Sequence, residues 1–397
     1  MSTPDSPSPS STPTQTSPDQ QAARRGFLKG AGLVIAGSLL PGTSVSADAT
    51  PAAATAPPLT EKEKLARIAT NTYPMRQLFK RRPMRAGGGG MAGSSAAARM
   101  RQEAEELKKK YGEITLLDFA QFTRDHFPGV TKMDLWSSLF GDVTDDSMYI
   151  ESPLPPAPDG RPRSTFEFDP SSASGRKWLE QLASRAAQAG VQCHHVSNNA
   201  PRNISDPDAE ARRHGIEVAK KWLDACAIIG AKTMRVNTGG PRIVPQATTA
   251  GGGYPKNDEI VKLIANAIES FREMADYGGK VGVKVTIENH WGLSADPMVV
   301  RIILDEVNHP FCEASPDFCN WEHEYMLYHG LKALAPYSHT TAHAKYWDRW
   351  KSVDIPRCVR IMTEGGFKGV FALEYEDGPW NGVEGAQYLM KEVLKGL

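Results

Sequence analysis

The chain has 397 residues, so it is long enough for two average domains or for one barrel with insertions. Its 46 Lys and Arg residues balance its 46 Asp and Glu residues, and the sequence pI is about 7.1. This balance provides no overall field that would attract nucleic acid or an anionic membrane surface, so neither is expected as a partner.

The N-terminal segment differs in composition from the rest of the chain. Residues 1–21 are rich in Ser, Thr and Pro, which predicts disorder. Arg24-Arg25 is followed by Phe27-Leu28-Lys29, by a short apolar run and by the small residues Val45-Ser46-Ala47. This arrangement resembles a twin-arginine export signal, and the apolar run is about half the roughly 20 residues that a spanning helix needs. We expect residues 1–47 to direct export to the periplasm or the extracellular space. The alternative is an uncleaved anchor, and no other membrane span is expected.

An Ala/Pro/Thr-rich linker is predicted over residues 48–64, and one folded domain over residues 65–397. The five Cys residues contain no CxxC pair and are odd in number, so they do not indicate a disulfide framework, and buried thiols are expected. Two interruptions of the domain, "RRPMRAGGGGMAGSS" and the Pro-rich "ESPLPPAPDGRPRS", are predicted to be loops.

Strand-like runs alternate with helical patterns throughout this domain. The predicted strands are Arg67–Thr72, Lys132–Phe140, "VQCHHVSNN", "TMRVNTGG", "VKVTIENHWG", "FCEASPDFCNW", "TTAHAKYWD" and "GVFALEYEDG". The main predicted helices are Gln102–Tyr111, Leu116–His126, Gly175–Gly190, Asp208–Gly230, Asp258–Tyr277, Pro297–Val307 and Ile355–Gly365. Alternation predicts an α/β fold with a parallel sheet, and eight such strands predict a single-domain (β/α)8 TIM barrel with loop insertions. The rival, an open doubly wound sheet, lacks a Gly-rich phosphate turn after its first strand.

The last four predicted strands each end in a side chain that can bind a metal. These residues are Glu288, Asp317, His343 and Glu374, and each step between them is one strand–helix unit. A single carboxylate at a strand end is usually just solvated, but four such residues in succession favour a metal site, because barrel strands converge at their C-terminal ends. Three carboxylates and one imidazole suit one divalent ion, preferably Mn²⁺, Mg²⁺ or Co²⁺, with Zn²⁺ as a less suitable choice.

Four further residues are candidates for binding a substrate. His290 lies two positions after Glu288, where it could contact substrate or only brace the site. Lys345 could likewise reach the site or lie on the surface. His194 and His195 should alternate between the two faces of their strand, so at most one should point inward, and His195 is the candidate. Asn237 follows the next strand and is a candidate sugar contact.

The motifs "IENHWG", "SPDFCN", "HAK" and "ALEYEDG" resemble those of the xylose isomerase-like barrel superfamily, in particular its sugar phosphate isomerase/epimerase group. The resemblance implies that Glu288, Asp317, His343 and Glu374 surround one divalent metal. It also implies that Glu288 and Glu374 exchange a proton with the carbon alpha to a sugar carbonyl, through an enediolate. The expected substrate is therefore a small carbohydrate.

Several alternatives stay open at this point. Elimination from the same enediolate would make the protein a keto-sugar or keto-glycoside lyase or dehydratase. A barrel that binds carbohydrate without turnover is a second alternative. Nuclease activity, as in endonuclease IV, is disfavoured because Asn320 stands where a second histidine is expected. "NTGGPR" (residues 237–242) is only a weak phosphate site, so a free sugar, keto-sugar or glycoside is preferred as substrate. Self-association into a homo-oligomer is left open.

Overall fold

The structure, a computed structural model, describes residues 58–82, 95–154, 163–240 and 257–397. The predicted N-terminal disorder, the export signal and most of the predicted linker lie outside the described residues. So do most of the Gly/Arg-rich interruption and the end of "NTGGPR". Among the described residues, no helix is both long and apolar enough to cross a bilayer.

The strands form one large parallel sheet and one small hairpin. In chain order they are β1 Ile68–Asn71, β2 Lys132–Trp136, β3 Tyr149–Leu154, β4 Arg163–Phe168, β5 Gln192–Ser197, β6 Thr233–Arg235, β7 Lys284–Ile287, β8 Cys312–Ala314, β9 Thr341–Trp347 and β10 Val370–Asp377. Eight of them pair in parallel in the order β8-β7-β6-β5-β2-β1-β10-β9, and β3 pairs with β4.

The helices cover the outer face of this sheet. They are α1 Glu61–Leu65, α2 Ser95–Tyr111, α3 Phe119–His126, α4 Ala173–Ala189, α5 Ala209–Ile229, α6 Asn257–Val281, α7 Pro297–Val307, α8 Met326–Leu334, α9 Ile355–Glu364 and α10 Gly382–Gly396. Helices α4 and α5 end at Gly190 and Gly230, whose positive φ of 66° and 75° glycine adopts without steric cost. Both helix ends agree with the prediction.

The end strands β8 and β9 meet just beyond β8. Asp317 and His343 form an isolated parallel bridge. The N–H of His343 donates to the carbonyl of Pro316 at 2.8 Å, and the N–H of Phe318 donates to the carbonyl of His343 at 3.1 Å. This contact closes the ring of strands, so the predicted (β/α)8 TIM barrel is confirmed.

The interior of the barrel is polar beneath its mouth. The Thr233 and Thr341 hydroxyls lie 3.1 Å apart although their strands are not neighbours, so the contact crosses the barrel. Ser315 donates to the Thr286 hydroxyl at 2.9 Å, and all four residues are fully buried. The large apolar side chains instead pack between the strands and the helices, as Phe271 and Phe371 do.

Two local predictions are wrong. The stretch "ESPLPPAPDGRPRS" was predicted to be a loop, but its ends belong to β3 and β4, which pair antiparallel from Tyr149/Phe168 to Leu154/Arg163. Thr165, Phe166 and Phe168 are of residue types that are enriched in strands, and they favour this strand despite the nearby prolines. Strand β8 is also much shorter than "FCEASPDFCNW". The side chain of Asp317 accepts from the N–H groups of Cys319 and Asn320 and so replaces the strand ladder with a turn.

The prediction that at most one of His194 and His195 points inward is also wrong. Met133 pairs with Cys193, but the next residue, Asp134, pairs with His195, so β5 has a β-bulge with one extra residue at His194. A bulge re-aims side chains by breaking their alternation. The His194 Nε2 atom lies 3.3 Å from the carbonyl oxygen of Thr340, across the barrel, while His195 faces inward as well.

The buried His194 should make the stability of the fold depend on pH. Burial lowers the pKa of His194 from 6.5 to about 4. Between these values the unfolded chain takes up a proton that the folded chain does not. The free energy of unfolding should therefore fall on acidification, by up to about 3 kcal/mol for this residue.

Chemical denaturation at pH 7 and pH 4.5 measures this effect. His194→Gln should lose less stability on acidification than the wild type. The matched control is His214→Gln, a change at an exposed histidine of α5, which should lose as much as the wild type. Equal losses in all three proteins would contradict the assignment.

Candidate active site

Three of the predicted ligands converge at the C-terminal mouth of the barrel. Glu288 follows β7, Asp317 forms the bridge beyond β8, and His343 lies in β9. One potential ligand atom from each lies within 4.8 Å of the others. All three side chains are fully withdrawn from solvent.

Two atoms of this cluster have no hydrogen-bond partner among the residues that the structure describes. They are Oδ2 of Asp317 and Nδ1 of His343, and the latter lies 3.5 Å from Oε2 of Glu288. An unpaired buried polar atom is costly, so a native structure needs a reason to keep one. Atoms of carboxylate and imidazole type that face one point are the donor set of a divalent cation, and these residues fit such an ion.

Glu374, the fourth predicted ligand, is engaged by a buried lysine. The Nζ atom of Lys345 lies 3.0 Å from Oε1 of Glu374, 3.1 Å from Oε2 of Glu376 and 3.4 Å from Oδ2 of Asp317. It also donates to the side-chain oxygen of Asn320 at 3.0 Å. Lys345 is only 2% exposed, so the structure places it in the site rather than on the surface.

Glu288 is held by an arginine that sequence reasoning missed. Nη1 of Arg235 lies 2.7 Å from Oε2 of Glu288, and Asn320 donates to Oε1 at 2.8 Å. Burial by itself raises the pKa of Glu288, but the positive charge of Arg235, together with that of His343, His290 and Lys345, outweighs burial and holds that pKa well below its usual range. An arginine inside the apolar strand "TMRV" was the available signal, because buried charge needs a partner.

His343 is oriented by a second missed residue, Asp134. Nε2 of His343 lies 3.2 Å from Oδ2 of Asp134, which also accepts hydrogen bonds from Asn71 at 2.8 Å and from the Ser197 hydroxyl at 3.0 Å. A carboxylate on one imidazole nitrogen directs the other nitrogen toward a metal. Burial lowers the pKa of His343, but Glu288 and Asp134 raise it more, to about 9. The signal was a carboxylate within the strand "KMDLW".

The site holds more carboxylates than permanent cations. The buried carboxylates of the mouth are Asp134, Glu288, Asp317 and Glu374, and half-buried Glu376 adjoins them. The permanent cations in contact with this group are Arg235 and Lys345. Burial, together with the charges of Glu374 and Glu288, raises the pKa of Asp317 to about 7 although Lys345 lowers it. A divalent cation would offset this excess of negative charge.

The structure places the remaining predicted residues around this cluster. His195 is buried, with Nδ1 2.7 Å from the Thr233 hydroxyl, with Nε2 unpaired, and with its ring 5.3 Å from that of His343. Asn237 is buried just after β6. His290 is half-buried beside Trp291. The side chain of Asn320 contacts both Glu288 and Lys345. The sequence did not predict this role.

Comparison with known proteins agrees with this architecture. A family profile described as "Xylose isomerase-like TIM barrel" matches residues 156–395, so the chain belongs to this family. No curated protein sequence matches the chain.

Similar solved structures share the fold at low sequence identity. A protein from Sinorhizobium meliloti 1021 has a TM-score of 0.50 at 12% identity and covers 83% of this chain and 97% of its own. A 3-keto-D-glucoside 4-epimerase from E. coli, in its apo form, has a TM-score of 0.48 at 12% identity, with 70% and 94% covered. A xylose isomerase-like TIM barrel protein from Mycobacterium smegmatis in complex with magnesium has a TM-score of 0.45 at 17% identity, with 72% and 90% covered.

Removing Arg235 should destabilise the fold through Glu288. In Arg235→Met the carboxylate keeps its burial but loses its nearest cation, so the free energy of unfolding should fall by about 3–5 kcal/mol. Adding Glu288→Gln removes the unpaired charge, so the double variant should regain much of this loss. Urea denaturation in the presence of a chelator measures both.

The half-exposed ion pair of Lys220 and Glu273 provides a control for these variants. Lys220→Met should cost no more than about 1 kcal/mol, because solvent screens such pairs. An Arg235→Met protein as stable as the wild type would show that the pair does not hold Glu288.

Proposed function

We propose that the protein is a divalent-metal-dependent sugar isomerase or epimerase. The observation that carries this proposal is the convergence of Glu288, Asp317 and His343, with unpaired buried atoms, at the C-terminal mouth of the barrel. Active sites of (β/α)8 barrels lie at this mouth.

In this proposal Glu288, Asp317 and His343 hold the metal, and Glu374 completes the set once it is released from Lys345. The hard, mostly oxygen donor set favours Mn²⁺, Mg²⁺ or Co²⁺ over Zn²⁺. When bound, the ion supplies a Lewis acid that polarises the carbonyl of the sugar.

Glu288 and Glu374 are the proposed acid and base. Glu374 is the more accessible of the two, since its side chain is 8% exposed and that of Glu288 is fully buried between Arg235 and Asn320. We assign to Glu374 the removal of the proton from the carbon alpha to the carbonyl. Glu288 is ionised in the free protein, so it would first take up a proton from solvent and then deliver it to the other face of the enediolate, while Glu374 releases its proton to solvent.

We assign to the ammonium of Lys345, which contacts Glu374, the binding of a sugar oxygen and the stabilisation of negative charge that develops there. His290 and Asn237, at the mouth, are proposed to contact sugar hydroxyls, and His195 to lie beneath the sugar. We further propose that residues 1–47 export the protein by the twin-arginine route, on the basis of the Arg24-Arg25 motif alone.

The first expected outcome concerns metal content. Elemental analysis after incubation with Mn²⁺ and removal of free ion should give about one ion per chain. Asp317→Asn should weaken the affinity at least about tenfold, because it replaces one ligand oxygen of the carboxylate with an amide nitrogen and removes its charge. The control Glu364→Gln, at an exposed carboxylate that ends α9, should bind like the wild type. A wild type that binds no divalent ion would refute the metal-dependent function.

The second expected outcome concerns proton exchange. In D₂O with Mn²⁺ and a keto-sugar such as D-fructose or D-tagatose, NMR should show deuterium at the carbon alpha to the carbonyl. Glu374→Gln should slow this exchange by a factor of about 100 or more, since general base catalysis contributes that much, while some sugar affinity remains. Sugar binding by the wild type without any exchange would indicate a barrel that binds carbohydrate without turnover.

A further inference from the structure

A cavity of about 780 Å³ opens beside the carboxylate cluster. It lies between helix α2, the turn after β1 and the segment that joins β10 to α10. Its volume is within the range of pockets that bind ligands larger than a single sugar ring. None of Glu288, Asp317, His343 and Glu374 lines it, so it is distinct from the reaction centre described above.

One wall of the cavity carries an exposed aromatic ring on a well-supported segment. Trp380 is 36% exposed, and its indole stacks on the ring of Tyr388 with centroids 4.2 Å apart. The backbone N–H of Trp380 donates to the hydroxyl of Tyr375 at 3.0 Å. Gly378 has a φ of 149°, which side chains rarely adopt, and a Cβ at Gly382 would collide with the carbonyl oxygen of Pro74. The segment that carries Trp380 is therefore packed closely against the turn after β1.

The opposite wall is one polar face of α2. Glu103, Glu106 and Lys110 recur at the spacing of one helical face, and all three are exposed. Arg76 and Gln77, from the turn after β1, add further donors. An aromatic platform that faces a mixture of hydrogen-bond donors and acceptors matches a carbohydrate ring, whose C–H face packs on an indole while its hydroxyls point to polar side chains.

Glu376 links one wall of the cavity to the reaction centre. This carboxylate lines the cavity, and its Oε2 atom lies 3.1 Å from Nζ of Lys345, which in turn contacts Glu374 at 3.0 Å. Two side chains in contact, Glu376 and Lys345, therefore separate a ligand in the cavity from the proposed catalytic base, Glu374.

We propose that this cavity is a second sugar subsite and that the substrate is a glycoside, whose reacting ring lies at the metal cluster and whose second ring stacks on Trp380. The inference rests on the proposed function, because it assigns the reacting ring to that site. A phosphorylated group in place of the second ring is disfavoured, since Glu103, Glu106, Glu376 and Asp377 line the cavity and would repel it.

Calorimetric titration of the Mn²⁺-loaded protein tests the subsite, with D-fructose, lactulose and isomaltulose as probes. At least one keto-disaccharide should bind about tenfold or more tightly than D-fructose. Trp380→Ala should remove most of this preference. Tyr325→Ala, a change at an aromatic residue that is 70% exposed and does not line the cavity, should keep it.

Glu103→Ala provides a second variant on the opposite wall, so the test does not depend on the folding of Trp380→Ala. It should also lower the preference for the disaccharide. No preference in the wild type, or a preference that both variants retain, would overturn the subsite.

Deuterium exchange distinguishes a wrong subsite from a wrong proposed function. Exchange with D-fructose and no gain in affinity for either disaccharide would leave the isomerase standing and overturn the subsite. Disaccharide binding that depends on Trp380, without exchange on any sugar, would support a second-ring subsite in a barrel that does not catalyse the reaction.

Discussion

The positions of the charged side chains in the site depend on a surplus of buried negative charge at the barrel mouth. Carboxylates from several strands meet where little solvent can screen them, so each needs a nearby cation. Arg235 supplies one for Glu288, and Lys345 supplies one that several acidic side chains share. Neither cation forms a hydrogen bond with Asp317 Oδ2 or with His343 Nδ1. These two atoms therefore stay without a hydrogen-bond partner among the described residues.

Backbone irregularities produce this arrangement. The extra residue in β5 turns two neighbouring histidines toward the interior, and the turn around Asp317 ends β8 early. Both departures from regular strand geometry cost backbone pairing, and both occur next to the cluster. The same part of the barrel interior is lined by hydroxyls such as that of Thr233, which can satisfy a buried imidazole where an aliphatic side chain could not.

The sequence predicted the fold because period and alternation are local properties that recur eight times along the chain. Barrel topology also predicted that Glu288, Asp317 and His343 converge at one mouth, although His343 lies within β9 and Asp317 lies beyond β8. The sequence did not predict Arg235, Asp134 or the central place of Lys345, because a single charged residue in a strand has the same local pattern whether it faces a partner or the solvent. The bulge at His194 could not be predicted from the sequence either, since it depends on the register between β2 and β5.

The barrel is closed by the residues that form its candidate site. In the part of the chain that the structure describes, β8 and β9 share a single bridge, and its two members are Asp317 and His343. This seam has far less ladder pairing than the contact between β9 and β10. Whatever holds these two side chains together also fastens the seam, so ligation and the opening of the barrel wall are thermodynamically linked. Amide hydrogens along the seam would report on the occupancy of the mouth more directly than those of any other strand pair.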